Sequence, residues 1–262
     1  MELLTPTVNL DDFFDRLAHT TYPLLMLDYD GTLAPFRRER DEAIPYPGIR
    51  ERLARFVAAP KTRVIIISGR WIEDLMPLLG LERAPEIWGC HGAERRQPNG
   101  AYTPVTLAPD TEKALSEALR WARDNKFRDH MEKKPISIAF HWRDLDESAQ
   151  AKLAAKVRDR WADEAATRGL VLHEFDGGLE LKAAGINKGQ VVKTLLKELP
   201  EEYVAAYLGD DLTDEDAFRA LNSHGLRVLV RKEKRATLAD VHLTPPEELL
   251  SFLDRWLEIT GE

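Results

Sequence analysis

Three short apolar runs end abruptly at polar residues. Leu24–Leu27 stops at Asp28, Val64–Ile67 at Ser68, and Val204–Leu208 at Gly209-Asp210, while Leu226–Val230, interrupted by Arg227, is a further expected strand. Continuous apolar runs of this length read as strands of a parallel sheet buried on both faces. Between them apolar residues recur at helical spacing. Residues 11–19 predict a short helix. Pro47-Gly48 opens a second, running to about Ala59 with Ile49, Leu53 and Phe56 on one face, and a third runs to Leu79. A strand is expected near Glu86–Cys90, and Asn99-Gly100 signals a hairpin turn. The same rhythm resumes at Lys188 with helix, strand, acidic loop, helix, strand and a last helix.

The middle of the chain follows another pattern. Residues 110–131 predict one long amphipathic helix, 135–143 alternate, 146–168 predict a charged helix, and 170–182 predict two strands around Asp176-Gly177-Gly178. This α-β-α-β-β block predicts an inserted second domain. The expected organisation is an α/β core over 1–107 and 184–262, with a smaller α+β domain over 108–183. In 135–143, Ile136, Ile138, Phe140 and Trp142 share one face, and Ser137, Ala139, His141 and Arg143 the other. Glu180 and Lys182 face opposite Leu179 and Leu181. The small sheet is expected to lay its apolar face on its helices and turn its polar face outward. Such a face suits a polyhydroxylated ligand, although a plain solvated face alternates in the same way.

Open α/β sheets carry their chemistry just beyond the carboxyl ends of the strands. Asp28 and Asp30 stand there, followed by Gly31, which lets a ligand approach the backbone. An aspartate can act as a nucleophile that is transiently phosphorylated, and a second carboxylate can shuttle protons. The pair also attracts a hard cation such as Mg²⁺. Ser68 can donate to a phosphate oxygen beside helix N-terminal amides, or simply cap a helix. Lys188 can neutralise both an aspartate and the phosphate it attacks, or lie solvated on a helix. Five acids within seven residues, Asp210, Asp211, Asp214, Glu215 and Asp216, repel one another unless a cation is bound. An acidic helix start accounts for Asp214–Asp216 but poorly for the Asp210-Asp211 pair.

Composition narrows the classes. The 262 residues carry a net charge of −8, from 37 basic and 45 acidic side chains, which disfavours a nucleic-acid-binding surface. A single cysteine, Cys90, excludes an intrachain disulfide framework and a cysteine-rich zinc site. No apolar stretch approaches the roughly 18–20 residues of a membrane span. The acidic N-terminus lacks a signal-peptide core, so a cytoplasmic location is expected.

DYDGT at 28–32, Ser68, Lys188 and GDDLTDED at 209–216 stand in the order of the four motifs of the haloacid dehalogenase superfamily of phosphohydrolases, which the chain resembles. The resemblance implies a Rossmann-like core in which Asp28 attacks phosphorus and Asp30 protonates the leaving alcohol, then activates water. It also implies that Asp28, the Asp30 carbonyl and Asp210 hold Mg²⁺, supported by Asp211 or Asp214. Only 38 positions separate Asp30 from Ser68, whereas 120 separate Ser68 from Lys188, so the cap is expected between the second and third motifs.

Four longer segments, GCHGAE (89–94), EKKPISIAFHWR (132–143), GGLELKAAGINKG (177–189) and GDDLTDEDAF (209–218), are similar to the trehalose-6-phosphate phosphatase family. That resemblance implies substrate contacts from Gly31, Thr32, Gly69, Arg70, His91, Glu94, Lys133, His141, Arg143 and Glu180, with Lys133 preferred to Lys134. It implies Mg²⁺-dependent hydrolysis of trehalose 6-phosphate, a lid that closes over this small-molecule substrate, and a functional link to a trehalose-6-phosphate synthase. Ala183 departs from the family, which often has proline there. A related phosphatase of sucrose phosphate or a glycosyl-glycerate phosphate is the near alternative. A catalytically silent sugar-phosphate-binding domain is the distant one, disfavoured because Asp28, Asp30, Lys188 and Asp210 are all present.

Overall fold

The computed structural model describes residues 1–37, 39–59, 61–142, 145–175 and 177–262. In chain order the strands are β1 (Glu2–Leu3), β2 (Pro23–Leu27), β3 (Arg63–Ile67), β4 (Glu86–Gly89), β5 (Glu94–Arg96), β6 (Tyr102–Pro104), β7 (Met131–Lys134), β8 (Ser137–His141), β9 (Leu170–Phe175), β10 (Gly178–Ala183), β11 (Val204–Gly209), β12 (Gly225–Val230) and β13 (Val241–Leu243). The α-helices are α1 (Leu10–His19), α2 (Ile49–Ala58), α3 (Ile72–Leu79), α4 (Pro109–Asp124), α5 (Glu147–Thr167), α6 (Lys188–Lys197), α7 (Glu215–Leu221) and α8 (Glu247–Thr260). The chain forms two compact units, one of Met1–Pro104 with Asn187–Glu262 and one of Val105–Ile186.

The first unit is built on a sheet ordered β1-β13-β12-β11-β2-β3-β4-β5-β6. From β13 to β4 the neighbours are parallel, and β1, β5 and β6 join antiparallel at the edges. The apolar strands divide their side chains between two cores. Leu25, Leu27, Val64, Ile66, Ala206 and Leu208 enter one, with Phe13, Phe252 and Trp256. Leu24, Met26, Ile65, Ile67, Ala205 and Tyr207 enter the other, with Val191, Val192 and Phe218. Burial on both faces is why these strands read as unbroken apolar runs. Strand β2 lies between β3, which follows it, and β11, which the chain reaches much later. The chain thus leaves β2 on one side and returns on the other, the switch point at which open α/β sheets place ligands.

The second unit is an antiparallel sheet ordered β7-β8-β10-β9 with α4 and α5. Its order is α-β-β-α-β-β, one strand more than the block expected from sequence. The predicted helix over 110–131 ends at Asp124 instead. Lys126 adopts φ +61°, and the Phe127 N–H turns back to the Ala122 carbonyl at 3.0 Å. Phe127 then packs tilted against Trp121 and edge-on against Phe140, and Met131–Lys134 pairs with β8. Ile136, Ile138 and Phe140 are buried as expected. Ser137 and Ala139 are buried too, against the expectation of an open polar face. Strand β8 is central, and longer neighbours flank these small residues: Glu132 and Glu180 stand opposite Ala139, and Lys134 and Lys182 opposite Ser137. Of the hairpin expected around Asp176, that residue itself lies outside the described residues. Among the described residues, no helix is long and apolar enough to cross a membrane.

Candidate active site

Register brings the first carboxylates together. Leu27 pairs with Leu208, and the Asp28 N–H donates to the Leu208 carbonyl at 2.9 Å. Asp28 and Asp210 therefore leave adjacent strands side by side. The chain after Asp28 folds back tightly, with Gly31 at φ +85°. A Cβ on Gly31 would overlap the Asp210 carboxylate and the ring of Phe36. Thr32 is buried, and its hydroxyl donates to Asp28 Oδ2 at 3.2 Å.

Lys188 arrives from another direction. Asn187 caps α6 by accepting the Gln190 N–H at 2.9 Å, which fixes Lys188 as the first residue of the helix. Helix α6 approaches α7 closely at Gly189, where a Cβ would overlap the Asp216 carbonyl. From there the buried Lys188 donates to Asp28 Oδ1 at 2.6 Å and to Asp214 Oδ1 at 2.7 Å. Asp214 also accepts the Tyr207 hydroxyl at 2.6 Å and the N–H groups of Asp210 and Asp211, each at 3.0 Å.

One ammonium thus serves three buried carboxylates. Burial pushes the Asp28 carboxyl up to about 7, with the Asp214 charge adding to it and Lys188 opposing it. Burial and the charges of Asp28 and Asp214 push Asp210 up to about 9. Lys188 is held protonated, since Asp214 and Asp28 outweigh its own burial. One oxygen from each of Asp28, Asp210 and Asp214 lies within 4.8 Å of the others. Asp210 Oδ1 is buried with no hydrogen-bond partner among the described residues. Excess negative charge and an orphaned buried oxygen are what a divalent cation relieves, so Asp28 and Asp210, with Asp214 beside them, can hold a metal ion.

The other predicted residues fall into separate groups. Asp30 and Asp211 lie outside the triad. The Asp30 carboxylate is gripped by Arg70, whose Nε and Nη2 donate to its two oxygens at 2.7 and 2.6 Å. Asp211 is exposed at the start of the 3₁₀ turn Leu212–Asp214. Ser68 is buried, and its hydroxyl oxygen accepts the Arg70 N–H at 3.1 Å. His91, at φ +59°, lays its ring against Gly69, and its N–H donates to the Ser68 carbonyl at 2.8 Å. Glu94 is buried and accepts from the Ile72 N–H at 2.7 Å and the Tyr102 hydroxyl at 2.8 Å, so it caps the start of α3.

In the second unit, Glu180 accepts from the Ser137 hydroxyl at 2.6 Å and from Lys134 at 3.2 Å. His141 Nε2 lies 3.1 Å from Glu132. Lys133 and Lys134 occupy different surroundings. Lys134 reaches Glu180, while the exposed Lys133 stands opposite Ile138, which belongs to the apolar face. Arg143 lies outside the described residues.

Three contributors carry no motif signal. Arg235 donates to the Asp210 carbonyl at 3.2 Å and the Asp211 carbonyl at 2.7 Å, and pairs with Glu215. Arg231 donates to the Asp210 carbonyl at 3.4 Å. In sequence both belong to RKEKR, which looks like a solvated basic loop. Tyr207 reads simply as a strand residue of the core.

A central β2 flanked by β3 and β11, with acids clustered at its carboxyl end, defines an α/β fold shared with a haloacid dehalogenase-like hydrolase of Bacteroides thetaiotaomicron, which aligns with a TM-score of 0.64 at 19% identity over 89% of this chain and 99% of that one. The trehalose-phosphatase family profile matches residues 26–246, and the chain belongs to that family. It is 28% identical over 276 residues to a trehalose-phosphatase of Schizosaccharomyces pombe, covering 95% of this chain and 32% of that protein. It is 30% identical over 247 residues to a trehalose-phosphate phosphatase of Mycobacterium ulcerans, covering 89% of this chain and 61% of that one. The chain therefore spans less than two thirds of the length of these curated relatives. A solved structure of Aspergillus fumigatus trehalose-6-phosphate phosphatase aligns with a TM-score of 0.72 at 25% identity, over 98% of this chain and 100% of that one.

Proposed function

We propose that this chain is a Mg²⁺-dependent phosphatase that hydrolyses trehalose 6-phosphate to trehalose and phosphate. The observation that carries this reading is the buried Asp28–Lys188 contact beside the unsatisfied Asp210 oxygen. Asp28 Oδ attacks phosphorus while the phosphorus–oxygen bond to the sugar breaks. Asp30 gives the departing alkoxide its proton, leaving an acyl phosphate on Asp28. Water then attacks that phosphorus and passes its proton to Asp30. The phosphorus–oxygen bond to Asp28 breaks, returning its electron pair to the carboxylate. Lys188 lowers the repulsion between Asp28 and the phosphoryl oxygens, and Thr32 orients Asp28 from its other oxygen. Mg²⁺, held by Asp28 and Asp210 with the Asp30 carbonyl, would supply positive charge to the phosphoryl group.

Arg70 holds Asp30 by a two-pronged contact that fixes the direction of its carboxylate. In the Val105–Ile186 unit, Lys134, His141 and Glu180 offer donors and acceptors for sugar hydroxyls, and this unit is the proposed cap. The same reading links the chain functionally to an enzyme that supplies trehalose 6-phosphate.

The test is phosphate release with Mg²⁺ from trehalose 6-phosphate, sucrose 6-phosphate, glucose 6-phosphate and a glycosyl-glycerate phosphate. The expected outcome is a preference in kcat/KM for trehalose 6-phosphate. A flat profile, or preference for another sugar, overturns the substrate. Release without a divalent cation, or in Asp28→Asn, overturns the mechanism.

A further inference from the structure

Tyr207 is wholly buried in β11, on the face that packs against α6 and α7. Its ring meets Phe218 edge-on, with centroids 5.6 Å apart and planes at 89°. Its hydroxyl donates to Asp214 Oδ1 at 2.6 Å, and that same oxygen accepts Lys188 Nζ at 2.7 Å. The other oxygen, Oδ2, accepts two backbone N–H groups, those of Asp210 and Asp211. An ionised carboxylate offers about four acceptor sites, and Asp214 uses all of them on the protein. Asp210, four residues earlier, has an oxygen with no partner among the described residues.

We propose that Tyr207 is a positioning residue for the phosphoryl transfer, acting through Asp214 on Lys188. The inference rests on the reading of Asp28 as nucleophile. An ammonium has three donors. Asp28 takes one at 2.6 Å and Asp214 another at 2.7 Å, which leaves one for a phosphoryl oxygen. The Tyr207 hydroxyl pins Asp214 Oδ1 and draws off part of its charge, so Lys188 is shared evenly between Asp214 and Asp28. Without the hydroxyl, Oδ2 stays held by its two N–H groups and Oδ1 presents more of its charge to Lys188. The ammonium then moves off the nucleophile. In this arrangement Asp214 anchors the lysine, and the cation is left to Asp28 and Asp210.

Tyr207→Phe removes only the hydroxyl and keeps the contact with Phe218. With p-nitrophenyl phosphate and Mn²⁺, kcat is expected to fall about 10- to 150-fold, the loss of one hydrogen bond to a charged group. KM, and the Mn²⁺ affinity read by titration calorimetry, are expected to stay within about twofold. Wild-type kcat overturns the inference. So does a Mn²⁺ affinity that falls in step with kcat, because the hydroxyl would then be holding the acidic loop rather than the lysine. A second variant guards against misfolding. Once Asp214→Asn has removed the anchor's charge, adding Tyr207→Phe should cost no more than about twofold in kcat. The full single-mutant loss in that background overturns the coupling. Asp28→Asn separates the two readings. Turnover in that variant sinks the nucleophile assignment, whereas an inert Asp28→Asn beside a wild-type rate in Tyr207→Phe sinks this inference alone.

Discussion

Lys188 holds the Asp28 carboxylate at 2.6 Å across 160 positions of sequence, and both side chains are almost wholly buried. The same ammonium holds Asp214 at 2.7 Å. Three acids and one base are therefore packed where water cannot separate them, and the properties of the site follow from that imbalance.

Replacing Lys188 with methionine leaves Asp28 and Asp214 facing each other without a counter-charge. Breaking a buried pair in this way costs about 3–5 kcal/mol. Turnover is expected to fall by at least about 10³-fold, because Asp28, the proposed nucleophile, loses the ammonium that donates to it. Thermal melting and phosphate release check both. A variant with wild-type melting temperature would refute the energetic argument.

Asp28 and Asp210 titrate above their ordinary range, at about 7 and about 9. Unfolded aspartates titrate near about 4. Between those limits the native state binds more protons than the unfolded state. Stability from these groups is thus complete below about pH 4 and is lost as pH rises through about 7 and then about 9. A divalent cation binds the ionised forms, so its stabilisation grows over the same window. At 100 times Kd it contributes about 2.7 kcal/mol, a rise of about 5–10 °C in melting temperature. Melts with and without Mg²⁺ at about pH 5 and about pH 8 read this directly. Asp210→Asn is expected to abolish the difference, and equal shifts at both pH values would contradict it.

Gly31 cannot accept a side chain. Its φ of +85° is unfavourable for other residues, and a Cβ would overlap the Asp210 carboxylate. Gly31→Ala is expected to cost about 1–3 kcal/mol in stability. It should lower kcat by about 10²-fold through displacement of the acids. Mn²⁺ affinity should fall with it. Retained affinity would mean that Asp210 can move aside freely.

Glu180 tests the second unit. Against the cost of burial, Lys134 and Ser137 hold its carboxyl below the usual range. Its contribution to stability is therefore present above about pH 4.5 and is lost as pH falls below it. Glu180→Gln should narrow the stability gap to wild type in acid. It should also raise KM for trehalose 6-phosphate about tenfold or more, with kcat little changed. For p-nitrophenyl phosphate KM should stay constant. An unchanged KM for both substrates would remove Glu180 from the sugar site.

Local pattern made much of the molecule legible. Burial on both faces forces unbroken apolar runs, which make β2, β3 and β11 legible, together with the acids and the serine placed at their ends. Amphipathic spacing persists past Asp124 and predicts a helix to 131, whereas α4 ends at Asp124. The break comes from Phe127 folding back onto Trp121 and Phe140, a contact that periodicity does not encode. Lys133 and Lys134 are adjacent and chemically identical, and only pairing with β8 tells them apart.

The residue types at the strand ends, the order of the motifs and the class of chemistry they permit are encoded locally in the chain. These depend on neighbours within a few positions, where strand and helix periods set the face of each side chain. Long-range packing is what makes Arg70 grip Asp30, Arg235 clamp the carbonyls of Asp210 and Asp211, and Tyr207 and Lys188 share one oxygen of Asp214. Each of these joins residues on different elements. Their distances are set by strand order, register and helix packing, which no local pattern specifies.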